Sequence, residues 1–154
     1  MSKGKSLQEL YSPNSACVGC GVKNKRGLRL RSFLENNELV AEWNAKPHHE
    51  AFPGILNGGI IGTLLDCHSN WAAAYYLLKK DHKTKPDCVV TAEYAVTLLR
   101  PTPTNLPINL IARVVESTGR RVTVEAELIV NDKVCATCRG IFVAVKEDHP
   151  AANK

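Results

Sequence analysis

The chain has 154 residues, 44% hydrophobic and 23% charged, enough for one globular domain with its own core and no comfortable room for a second. Its net charge of +5 is spread without a block of like charges or an alternation of aromatic and basic residues. A nucleic-acid surface therefore has little support, and a polyphosphorylated small ligand suits the charge better.

Residues 1–26 read as an N-terminal segment that is polar at its start and lacks an apolar signal core. The longest apolar runs are too short and too interrupted to span a bilayer, so no membrane association and a cytoplasmic location are expected. Without a secretion signal the six cysteines read as thiols in a reducing compartment. Cys17 and Cys20, in Cys-Val-Gly-Cys-Gly, have knuckle spacing and stay open to metal or redox use. Cys135 and Cys138 fall in a strand-like run where they point to opposite faces, so a four-cysteine zinc site is not expected. They are read, with Cys67 and Cys88, as small buried hydrophobes, and no cofactor or metal ligand is assigned.

Residues 27–147 form the main domain. Runs 28–33 and 39–43 alternate as strands joined at Asn36-Asn37. A helix follows from Asn57 to Lys80, with almost no polar face. After a polar break come strand-like runs at 88–99, 106–117, 121–130 and 134–145, with turn signals at Gly119-Arg120 and Asn131-Asp132. Pro101, Pro103 and Pro107 end the first of these runs. The tail, 148–154, reads as frayed. One long helix against at least five antiparallel strands is an α+β arrangement. A helix so apolar needs more cover than one sheet supplies, which points to at least a homodimer.

Within that helix Asp66 is the exception. No lysine or arginine stands at helical spacing from it, and Thr63, Ser69 and Asn70 are its nearest polar neighbours along the helix. An unpaired carboxylate in an apolar interior is costly and usually serves a site, the bland reading being a hydrogen-bonded structural acid. Gly58 and Gly59 start the helix, where free amides and the positive end of the dipole can hold a polarised carbonyl oxygen.

The order β-β-helix-β-β-β-β, the segment from His49 through Pro53-Gly-Ile-Leu-Asn-Gly-Gly to Asp66, and Val89-Val-Thr-Ala-Glu-Tyr resemble the hotdog-fold acyl-CoA thioesterases of the phenylacetate-pathway (4-hydroxybenzoyl-CoA thioesterase-like) type. The resemblance covers nearly the whole chain. It implies a hotdog fold, with a long central helix wrapped by an antiparallel sheet of five to six strands, and a homodimer, either alone or paired into a dimer of dimers. It implies hydrolysis of an acyl-CoA to free acid and CoA, with Asp66 positioning or deprotonating water, the Gly58 amide polarising the thioester carbonyl and Thr91 assisting Asp66. The substrate-binding positions it implies are His49, Gly59, Arg100, Gly119, Arg120 and Arg121. Strand alternation allows at most one of the last two arginines to meet a phosphate directly.

Two departures stand out. Asn57 takes the place of the family's usual His and cannot gain a proton near neutrality. Cys67-His68 follows Asp66, and His68 cannot share its helix face, so a local structural role is expected for that imidazole. A non-catalytic acyl-CoA-binding protein and a hydratase or dehydratase using His49 with Asp66 remain as alternative readings.

Overall fold

The computed structural model describes residues 4–153. Its spine is helix α2, Gly58–Lys80, 23 residues and about 34 Å long. Asn57 is its cap: held extended, it takes the Ile60 amide on Oδ1 at 3.1 Å, while Lys79 and Lys80 complement the dipole in the last turn. A short helix, α1 (Leu7–Tyr11), precedes it, started by a capping box between Ser6 and Glu9.

Against α2 lies one antiparallel sheet of six strands: β1 (Phe33–Glu35), β2 (Glu38–Trp43), β5 (Val89–Leu98), β6 (Ile108–Thr118), β7 (Arg121–Val130) and β8 (Lys133–Ala144). Their order is β1-β2-β6-β7-β8-β5, so β6 to β8 form a meander and β5 closes one edge beside β8. A small hairpin, β3 (Glu50–Phe52) with β4 (Ile55–Leu56), leads into the helix. Both residues of the Asn36-Asn37 and Asn131-Asp132 turns have positive φ, the conformation that two-residue hairpins demand and that asparagine and aspartate tolerate. Alternate residues of β7, such as Val122, Val124 and Leu128, meet Leu64, Leu65, Ala73 and Leu77 in a core that also holds Phe142.

One expectation is corrected. The run 28–33 is not a strand. Arg29 takes a positive φ of 60°, and the amides of Leu28 and Leu30 bond to the carbonyls of Val18 and Gly19 at 2.8 and 3.0 Å, so only Phe33 onward joins the sheet. The face of the helix turned from the sheet is covered in part by its own chain: Leu7 and Cys20 from the N-terminal segment and Leu30 from the loop before β1 enter the core, and Ser32 bonds His68. At the other end the chain turns once as a 3-10 helix, Pro150–Asn153. Met1, Lys3 and Lys154, in the segments read as polar start and frayed tail, lie outside the described residues. Among those described, no helix is long and apolar enough to cross a membrane.

Candidate active site

Asp66 is half-buried on α2, and the Thr91 hydroxyl donates to its Oδ1 at 2.7 Å. Burial pushes the Asp66 pKa above the usual carboxylate value; the Thr91 bond opposes that shift and the nearby Cys17 adds to it. Among the described residues, no cation forms an ion pair with it. Two of its polar neighbours along the helix are engaged elsewhere: Thr63 donates to the Gly59 carbonyl and Asn70 to the Val89 carbonyl, both at 3.0 Å.

Strand β5 runs antiparallel over the first half of α2, and the contacts step in register. Thr91 meets Asp66; a Cβ at Gly62 would lie 3.6 Å from the Tyr94 hydroxyl; one at Gly58 would lie 3.5 Å from Leu98 Cδ1. Gly58, Gly62 and Asp66, four residues apart, form one stripe. Residues 91 and 94 would face opposite ways in a regular strand. A bulge at Ala92, where Thr91 and Glu93 oppose the consecutive residues Phe142 and Ile141, turns both toward the helix.

At the top of the stripe the first two amides of α2, Gly58 and Gly59, have no acceptor within the helix. The Asn57 amide bonds to the His49 carbonyl at 3.0 Å, which ties the helix start to the preceding loop. The His49 imidazole is itself buried, stacked between Trp43 and His48 with ring centroids 5.0 and 4.2 Å away. Its Nδ1 accepts the Lys46 amide at 2.9 Å, and burial lowers its pKa. His68 is fully buried, held by Ser32 Oγ at 2.8 Å and the Leu39 carbonyl at 2.9 Å; burial drives its pKa down to about 4. Among the described residues, neither histidine is hydrogen-bonded to Asp66.

The Gly58 amide, by contrast, is not beside Asp66. Eight residues of helix separate them, about 12 Å along the axis. The arginines are dispersed. Arg100 is exposed just past β5, at the Gly58 end. Arg121 stands on the outer face of the sheet with Thr118, Thr123 and Arg139, while Arg120 occupies the exposed Gly119 turn, where Lys80 donates to the Gly119 carbonyl at 3.5 Å. Phe52 is 71% exposed. A cleft of about 470 Å³ lies between Leu34, Ala72, Tyr75 and Arg113, away from Asp66.

One grouping escaped the sequence reading: Cys67, taken as a small buried hydrophobe, lies beside the knuckle, its Sγ 3.8 Å from that of Cys17. The sulfurs of Cys17, Cys20 and Cys67 all lie within 4.8 Å of one another. The neighbouring Cys20 and Cys67 thiols lower the pKa of the Cys17 thiol and raise their own. The signal was present in the sequence only as a cysteine next to Asp66, with nothing to say that the knuckle folds onto α2.

A long helix lying on an edge-to-edge antiparallel sheet, with a glycine start and a carboxylate two turns in, is the hotdog arrangement. No family model matches the chain, and no curated protein matches it by sequence. Solved structures do. A thioesterase superfamily protein from Shewanella loihica PV-4 shares 29% identity over 76% of this chain and 91% of its own, with a TM-score of 0.65. The PaaI protein of E. coli, from the phenylacetic acid degradation operon, superposes over 77% of this chain and 81% of its own at 15% identity and a TM-score of 0.65. A thioesterase from Haemophilus influenzae does so over 80% and 82% at 14% identity and a TM-score of 0.68. The chain has the hotdog fold, as the resemblance implied, and is similar to solved proteins of the thioesterase superfamily.

Proposed function

We propose that the protein is an acyl-CoA thioesterase whose site is shared between two copies of the chain. The observation that carries the reading is the Asp66 carboxylate, half-buried, without an ion-pair partner and oriented by the Thr91 hydroxyl at 2.7 Å. Such an acid can hold a water and take its proton as the oxygen attacks the thioester carbonyl. The amide at the helix start, Gly58, stabilises the oxygen that gains charge, and the departing thiolate needs no strong acid.

The separation of about 12 Å along one helix prevents a single chain from using both groups on one carbonyl. A two-fold axis passing near Gly62, midway between them, sets the Gly58 of one copy opposite the Asp66 of the other. Strand β5 supplies the joint. It is a free edge ten residues long, and Tyr94 and Leu98 on it are 44% and 57% exposed. Asn57 serves as the helix cap that holds the Gly58 and Gly59 amides in place, and His49 anchors Asn57 through its carbonyl. Arg100, or Arg120 at the Gly119 turn with Lys80, meets the CoA phosphates; Arg121, on the outer face, is the weaker candidate.

The test is thiol release from a panel of short, aromatic and long acyl-CoAs. Asp66→Asn should lower turnover by about a hundredfold to ten-thousandfold. Gly58→Pro removes the amide at a helix position that accepts proline, and should do the same while leaving α2 folded. Mixed and refolded together, the two inactive variants should regain about a quarter of wild-type turnover, because half the dimers then carry one intact site. Tight acyl-CoA binding with no turnover across the panel would make this a binding protein and remove the catalytic role of Asp66.

A further inference from the structure

We propose that Cys17, Cys20 and Cys67 form a binding site for one zinc ion, with the fourth coordination position taken by water or another small donor. The argument starts from spacing. A tetrahedral zinc with sulfur ligands at about 2.3 Å holds those sulfurs about 3.8 Å apart. Cys17 Sγ and Cys67 Sγ stand 3.8 Å apart, and all three sulfurs lie within 4.8 Å of one another. They come from two elements, a knuckle and the middle of α2, so their convergence is a product of the fold and not of adjacency in sequence.

The knuckle closes through the Gly21 amide to the Cys17 carbonyl at 2.9 Å. Gly19 leaves room for the third ligand: a Cβ there would lie 2.4 Å from Cys67 Sγ. Cys17 is exposed while Cys20 and Cys67 are buried, which leaves an entry path and an open coordination position on the solvent side. Binding converts thiols to thiolates and releases their protons to solvent, so affinity rises with pH.

The site is independent of the hydrolytic reading, and its test reads metal, not turnover. Protein purified under reductant and without chelator should carry one zinc per chain. Cys88→Ser should keep it, while Cys17→Ser and Cys67→Ser should lose it. Because Cys17 is exposed, Cys17→Ser should retain wild-type circular dichroism, which separates loss of a ligand from loss of the fold. Cobalt(II) added to metal-free wild type should produce thiolate-to-metal charge-transfer absorption that Cys17→Ser lacks. Wild type without zinc, Cys17→Ser with undiminished zinc, or a Cys17–Cys67 disulfide in place of the metal would each overturn the proposal.

Discussion

Burial acts on Asp66 and His68, two residues apart on α2, in the same sense: it disfavours the charged form of each. For Asp66 the consequence is kinetic. Thr91→Val removes the bond that favours the carboxylate, so its pKa should rise further and the acid limb of kcat/KM should move to higher pH, with KM little changed. For His68 the consequence is stability. Its folded pKa, about 4, lies below the ordinary 6.5, so the unfolded chain binds the extra proton first as pH falls. Stability is therefore full above pH 6.5 and declines toward pH 4, by about 3 kcal/mol from this group. Urea unfolding across that range checks the slope, and His68→Gln should flatten it.

Elements were read more securely than their ends. The helix and the strands after it were plain in the sequence, because 3.6-residue and two-residue periodicities are local properties and the Asn131-Asp132 and Gly119-Arg120 turns announce themselves chemically. The run 28–33 misled because its leucines do alternate, yet their amides pair with the knuckle, a tertiary choice that no local pattern encodes. Two glycines, one in the knuckle and one on α2, behave oppositely. Gly19→Ala pushes a methyl into Cys67 Sγ and should destabilise the fold by about 1–3 kcal/mol. Gly62→Ala meets only ordinary contact with Tyr94 and gains helix propensity, so stability should hold or rise by up to about 1 kcal/mol. Thermal unfolding of both variants reads the difference. Inside the sheet, Phe142→Ala should cost about 3–5 kcal/mol, because the ring is wholly enclosed.

At the scale of the molecule, the N-terminal segment and the loop before β1 cover part of the far face of α2, while Tyr94, Leu98 and Leu99 stand exposed at or just past the β5 edge. The partnership of Asp66 with Thr91 was legible in the sequence through the resemblance; the distance from Gly58 to Asp66 was legible too, in the eight residues between them. What could not be read was how the proposed second copy would bring the two groups together. Leu98→Asp puts a charge on the exposed edge face beside Gly58 and should shift light scattering toward monomer. Turnover should fall with the dimer and recover at high protein concentration.

The bulge at Ala92 makes the site sensitive to chain length as well as to side-chain chemistry. It is a phase shift written into the backbone: upstream of it the odd-numbered residue Thr91 faces α2, and downstream the even-numbered Tyr94 and Leu98 do. Deleting Ala92 restores uniform phase, so one side of the deletion must turn its residues outward. Either the acid loses its hydroxyl or the strand loses the tyrosine and leucine that lie over the glycine stripe. Substitutions at 92 can be silent, while the loss of that one residue changes every contact beyond it.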